Sequence, residues 1–327
     1  MRWAGLLVVP LGACGGEPRA SLTYTEVWEL MGVMSDGSVI DARVEVGNQG
    51  VLRGQGHVQL DHWPVMGEPI QYRRWSAPIA TTRSADGRQV TLDTDLLGAS
   101  GELVDTWHLR ARSDDANAVV QVAGQAPPVG VVSAQVGGGQ WSLGAPVGSG
   151  TVGGWIEAGE RGGRLGGQGV VLHRGGDGLP GRERRTAVVF GRDLSIGVDE
   201  HGPLRLAWAR VDGETLDVAD ARITFEAGKV GIDFRPATEL VVSFETTGVG
   251  GSTAATTRLT APERWVVDTL SSPPDRLVLG ARAEVVHGGQ SVEASALMVW
   301  VDERPIDVTT RAVIAPGRRR RRPSTRP

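Results

Sequence analysis

From Leu22 onward, apolar and polar residues alternate with a period of two. Ile40, Ala42, Val44 and Val46 fall on one side of an extended chain, while Asp41, Arg43 and Glu45 fall on the other. Gly56, Val58 and Leu60 alternate with His57, Gln59 and Asp61, and Leu103, Trp107 and Leu109 share a side with Asp105. Successive side chains of a strand point to opposite faces, so this pattern predicts sheets with one face packed and one wet. Further strand-like runs cover Ala118–Val122, Thr186–Val198, Leu204–Val211, Ile223–Phe225, Val230–Phe234, Leu240–Phe244, Leu277–Val286 and Val292–Val301. No segment carries a long apolar stripe of helical period. The expected fold is all-β and mostly antiparallel.

Turn chemistry separates the runs at Ser35-Asp36-Gly37, Ala85-Asp86-Gly87, Glu200-His201-Gly202 and Asp212-Gly213. Such pairs supply the positive φ that tight hairpins need. The texture breaks between Gln125-Ala126-Pro127-Pro128 and Gly148, which predicts one domain over 21–135 and another over 136–308. Each is expected to close as a β-barrel, because closure removes exposed strand edges.

Composition adds three points. With 40% hydrophobic and 22% charged residues, the 327-residue chain can bury two cores. Its 47 glycines fit many short turns. The formal charge of −4 hides an uneven distribution: six arginines crowd the last ten residues, and without these and Arg2 the remainder stands near −11. A body that acidic repels phosphate, so nucleic acid is not an expected partner. Residues 309–327 read as a solvated arginine-rich tail.

The N-terminus reads MRWAGLLVVPLGAC. One positive charge precedes an apolar run too short to span a bilayer as a helix, and the run ends in Leu11-Gly12-Ala13-Cys14. That spacing resembles a bacterial lipobox. It implies a signal peptide over 1–13, lipidation of Cys14, a tether over 14–20 and a protein anchored in the cell envelope. Gly15 and Gly16 provide no acidic residue after the cysteine, which points to the outer rather than the inner membrane. Cys14 is the sole cysteine, so no internal disulfide forms.

The motifs for common chemistries are missing from the sequence. Gly148-Ser149-Gly150-Thr151-Val152-Gly153 has the GxGxxG spelling, but a strand-like Gly154-Trp155-Ile156 follows where a dinucleotide site needs a helix. The six histidines show no zinc-type spacing, no GxSxG elbow occurs, and no metal or cofactor is expected. Two carboxylates stand out. Glu26 shares a strand side with Tyr24, Trp28 and Leu30, and Asp105 shares one with Leu103 and Trp107. A carboxylate on an apolar face is costly unless paired, so each is a candidate for a structural ion pair or for a ligand-orienting or acid role.

The order of several segments resembles the AttH-type lipocalin-like family, which includes the carotenoid 1,2-hydratases. Glu26-Val27-Trp28-Glu29, then Gly32, then Asp36-Gly37 stands where that family carries Glu-Trp-Trp-Tyr, Gly and Asp-Gly. Gly56-His57-Val58-Gln59-Leu60-Asp61 is similar to its Ala-His-Phe-Ala-Leu-x-Asp. Gly167 to Gly175 lies where the family has a strand ending Asp-His-Glu-Trp-Gly, and Trp208 through Asp212-Gly213 resembles a later strand and turn. The resemblance spans Tyr24 to Gly213 and implies two lipocalin-like barrels in tandem. It also implies a departure: Leu172 occupies the position of the family's acid, beside a retained His173. A hydratase of this kind protonates a double bond, and leucine has no proton to donate.

These readings lead to a membrane-anchored lipoprotein with a lipocalin-like body that binds a hydrophobic or amphipathic small molecule without catalysis. Trp28, Trp107, His173 and Trp208 are its expected ligand-binding residues. One alternative is a lyase, hydratase or isomerase acting on an isoprenoid or other apolar substrate, with Asp105, Glu26 or Asp199 as the acid. The other is an envelope scaffold lipoprotein.

Overall fold

The computed structural model describes Tyr24 to Asp302, apart from 50–51, 77–79, 84–88, 94–96, 103–105, 113–115, 126, 137, 178–182, 192, 219, 227–228, 236–238 and 255–274. Every regular element among the described residues is a strand. The first group comprises β1 (Thr25–Met34), β2 (Val39–Gln49), β3 (Leu52–Trp63), β4 (Ile70–Ser76), β5 (Ala80–Arg83), β6 (Gln89–Asp93), β7 (Leu97–Glu102), β8 (Thr106–Arg112), β9 (Asn117–Gly124), β10 (Val129–Val136), β11 (Gly139–Ala158) and β12 (Arg161–Gly176). The second comprises β13 (Arg184–Phe190), β14 (Ser195–His201), β15 (Leu204–Val211), β16 (Glu214–Thr215), β17 (Asp220–Glu226), β18 (Lys229–Arg235), β19 (Val241–Ala254), β20 (Asp275–His287) and β21 (Gln290–Asp302).

The first group forms one antiparallel sheet in the order β4-β3-β2-β1-β12-β11-β9-β8-β7-β6-β5, with β10 beside the other half of β11. The second follows β16-β15-β14-β13-β21-β20-β19-β18-β17. In both sheets the two end strands are neighbours in sequence, so each sheet curls back on itself. In the second, Arg205 of β15 reaches Asp220 of β17 at 2.7 Å, and the Ile223 N–H of β17 donates to Glu200 of β14 at 3.4 Å. The fold is two tandem lipocalin-like barrels, as the alternation and the family resemblance implied.

Local turn chemistry fixes the registers. At the β1–β2 turn, Asp36 accepts hydrogen bonds from the Ser38 N–H (2.9 Å) and hydroxyl (2.6 Å), and Gly37 takes a φ of 84°. Asp212 and Gly213 both have positive φ, at 52° and 80°. The run Thr186–Val198 divides into β13 and β14 at a turn closed by the Gly191 N–H to the Leu194 carbonyl, 2.8 Å. The GxGxxG stretch is interior to β11, and no helix follows it.

The structure corrects two expectations. The chain passes from the first sheet to the second between Gly176 and Arg184, not at 135/136, because β11 and β12 return to pair with β9 and β1. Moreover, the polar side of the central strands is not wet. One core in the first barrel includes Trp28, Leu30, Ile40 and Val44, and another in the second includes Ile196, Phe234 and Leu279. A third lies between the barrels and includes Met31, Val39, Leu172, Val188, Phe190, Val278 and Leu297. Side chains of this size each contribute about 1.5–3 kcal/mol on burial, which makes the seam a core rather than a loose hinge.

Candidate functional site

Strand β1 pairs with β2 on one edge and β12 on the other, and both its faces are buried. Its even-numbered residues face the first barrel. In the β1–β12 register Trp28 lies opposite His173, which puts the imidazole beside the indole. Their ring centroids stack 3.7 Å apart, and the Trp28 indole also stacks on Trp107 of β8 at 4.6 Å. His173 Nε2 lies 2.9 Å from Glu26 Oε1, and the Tyr24 hydroxyl donates to Glu26 Oε2 at 3.0 Å. Glu26, Trp28 and Trp107 are each 3% exposed and His173 4%. The buried carboxylate is thus tolerated through two hydrogen bonds.

The same interior holds polar atoms without a partner. The indole N–H groups of Trp28 and Trp107 and the hydroxyl of Tyr72 are buried and find no acceptor or donor among the described residues. A buried unsatisfied donor costs about 1–3 kcal/mol, so such groups ordinarily face water or a ligand. Chemically, the arrangement offers a flat aromatic wall, unused donors, and an imidazole oriented by a carboxylate. An oriented imidazole can hydrogen-bond a polar group or move a proton.

The odd-numbered face of β1 looks into the seam, where a buried ionic network joins the barrels. Arg174 binds Asp199 through Nε and Nη2, both at 2.8 Å, and Glu29 through Nη1 at 2.6 Å. Arg184 donates to the same Glu29 oxygen at 2.6 Å, Arg276 bonds its other oxygen, and Thr186 donates to Asp199 at 2.6 Å. Against the upward push of burial, Arg184, Arg276 and Arg174 together hold the Glu29 carboxyl well below the usual carboxylate range. Arg174 does the same for Asp199. Burial and the neighbouring Arg174 push the Arg184 guanidinium down to about 9.

This geometry relocates the expected site residues. Glu26, Trp28, Trp107 and His173 come together in the first barrel. Asp199 does not join them: it is fixed as a carboxylate by Arg174 in the seam and has no proton to give near neutral pH. Trp208 also lies in the seam, flat against Gly197, with its N–H donating to Ser195 at 3.0 Å. Leu172 pairs with Glu29 and packs into the seam core, so position 172 faces away from the first barrel's interior. A leucine there does not remove an acid from that barrel, where Glu26 stands beside His173. Asp105 and Cys14 lie outside the described residues.

Alternation placed Glu26 correctly beside Trp28, but Glu29, Asp41, Arg174, Arg184 and Arg276 were not singled out. The available signal was a charge inside an apolar run, as in Trp28-Glu29-Leu30. Among the described residues, no group of three or more His, Cys, Asp or Glu side chains is arranged to hold a metal. The second barrel has an apolar hollow of about 10 Å³ bordered by Ile223, Leu277, Leu279 and Met298, about the room of one water.

No protein-family profile and no curated protein sequence matches the chain. Solved structures do match. CghA in complex with Sch210972 aligns with a TM-score of 0.58 at 10% identity, over 86% of this chain and 89% of that one. An AttH-like protein from Nitrosomonas europaea aligns at 0.56 and 10% identity, over 92% and 98%. Kievitone hydratase from Nectria haematococca aligns at 0.50 and 10% identity, over 86% and 89%. At such identities the likeness is one of fold: the chain is built as the AttH-type lipocalin-like proteins are, which the sequence resemblance implied.

Proposed function

We propose that this two-barrel chain is a lipid-anchored binding protein of the cell envelope whose first barrel holds an amphipathic small molecule. The apolar part would lie along Trp28 and Trp107, and its polar end would meet Glu26 and His173. One observation carries the reading: the buried N–H groups of Trp28 and Trp107 and the Tyr72 hydroxyl have no partner among the described residues, in the same interior as the Glu26–His173 pair. Cys14, preceded by its short apolar leader, would supply the anchor to the outer membrane, and the tether would leave the barrels outside the bilayer.

A second reading is proton-transfer chemistry on a similar molecule, as a hydratase, lyase or isomerase. The 2.9 Å contact between His173 and Glu26 favours it, since a carboxylate that orients an imidazole is a common acid–base arrangement. Kievitone hydratase, one of the fold neighbours, is named for such a reaction.

Native mass spectrometry of gently extracted protein, followed by solvent extraction, tests the first reading. Wild type is expected to carry a co-purifying small molecule, or after delipidation to bind 1-anilinonaphthalene-8-sulfonate displaceable by oleate. Glu26→Gln, which keeps the size of the side chain, should weaken capture about tenfold or more with unchanged circular dichroism, a loss of about 1.4 kcal/mol. An empty wild-type protein that takes up neither probe refutes the binding reading. Chemical change of the extracted molecule on incubation with wild type, but not with His173→Ala, would select the second.

A further inference from the structure

The unused polar groups of the first barrel are of one chemical kind. Trp28 of β1, Trp107 of β8 and Tyr72 of β4 are buried, and their polar atoms meet no partner among the described residues. An indole N–H only donates, and a phenol hydroxyl donates as well as accepts. Two of the three groups are therefore satisfied by an acceptor alone, and an acceptor serves the third as well. A hydrocarbon or an ammonium group leaves both indoles unpaired at the full cost of their desolvation, whereas an oxygen with lone pairs does not.

The register spreads these groups along the barrel. Tyr72 pairs with Leu60, Leu60 with Ala42 and Ala42 with Leu30. Tyr72 thus shares a row with Leu30, two residues beyond Trp28, whereas Glu26 stands two residues before Trp28. The rows of Glu26 and Tyr72 are four residues apart along β1, or about 13 Å of strand. Trp28 lies between those rows, stacked on His173 and Trp107. A molecule that spans them meets polar groups at both ends and donors in its middle. A fatty acid is polar at one end only and leaves the donors along its chain unpaired. An indole N–H also lies in the plane of its ring, so an acceptor must approach the ring edge in a set direction. A rigid body holds its acceptors in such directions without the ordering cost of a flexible chain.

We propose that the first barrel selects a rigid, ring-containing molecule that carries carbonyl-type oxygens along its body, with Trp28, Trp107 and Tyr72 as the donors that recognise them. This rests on the binding reading above and goes beyond it, because that reading needs one polar end and this one assigns donors to the body of the ligand.

Two three-ring probes, 9-fluorenone and fluorene, test the selection on delipidated full-length protein. They share a skeleton and differ by one carbonyl oxygen. Equilibrium dialysis should show fluorenone bound about three- to tenfold tighter than fluorene, the worth of a neutral hydrogen bond. Trp28→Phe, Trp107→Phe and Tyr72→Phe each keep an aromatic side chain and remove its donor. At least one of them should erase that preference by weakening fluorenone, with fluorene binding and circular dichroism unchanged. Should one variant fail to fold, the other two carry the comparison. Fluorene bound as tightly as fluorenone, or a preference that persists in every folded variant, overturns the selection and leaves the binding reading standing. Uptake of neither probe overturns it too. The binding reading then survives only if 1-anilinonaphthalene-8-sulfonate or oleate is still taken up.

Discussion

Replacing Arg174 with methionine tests the energetics of the seam most directly. Arg174 is 1% exposed and makes three charge-assisted hydrogen bonds, two to Asp199 and one to Glu29. Without it, Asp199 keeps only the Thr186 hydroxyl at 2.6 Å and a distant Arg184 nitrogen at 3.9 Å. Glu29 still has Arg184 and Arg276. Breaking a buried pair from one side strands a charge and costs about 3–5 kcal/mol, and methionine fills much of the vacated volume, so a cavity adds little. Urea unfolding at pH 7, followed by tryptophan fluorescence and far-ultraviolet circular dichroism, should show that loss. The sign of the pH dependence is fixed. Arg174 helps hold the Glu29 and Asp199 carboxyls below their unfolded values, so the stability it adds is present above about pH 4 and disappears as acid protonates both. The gap between wild type and Arg174→Met should therefore narrow toward pH 3, and Arg174→Met with Asp199→Asn should recover part of the loss at pH 7. A cost below about 1 kcal/mol at pH 7, the level of an exposed pair, or a gap that does not change with pH, would refute the assignment of this network as a buried interbarrel tie.

Two further outcomes follow from single sites. A Cβ at Gly197 would sit 2.0 Å from the Trp208 ring, whose N–H is pinned by Ser195, so Gly197→Ala should cost about 1–3 kcal/mol by overpacking; adding Trp208→Leu should restore some of it, and an additive double variant would contradict the contact. Cys14→Ser should move the protein from the membrane fraction to the soluble one and abolish acyl labelling, and unchanged fractionation would exclude the anchor.

Alternation in the sequence showed which residues of β1 and β2 line the first barrel, because Trp28, Leu30, Ile40, Ala42 and Val44 recur at period two. It did not show the seam. The opposite faces of the same strands read as polar because of Glu29, Asp41 and Arg43, and polarity is normally a sign of water. Here Glu29 and Asp41 meet arginines from distant strands under a second layer of protein, which no local pattern reveals. The odd-numbered Val27, Met31 and Val33 were the available hint, since a strand apolar on both sides is buried on both. The sheet boundary was hidden for a related reason. Glycines and prolines around 125–148 look like a linker, but β11 runs on as a long strand through Gly148, Gly150 and Gly153. Leu172 could be judged against His173 only after the register showed that neighbouring residues serve different barrels.

The position of β1 also bears on how the chain can be made. This strand leaves the ribosome early, yet its edge partner β12 is synthesised after most of the first sheet, and Glu29 waits for Arg276 of β20 near the end. Pairings of such long sequence separation form slowly, and the early product stays open until its late partners arrive. The first barrel therefore closes only after β12 has been made, and the ionic tie across the seam only after β20.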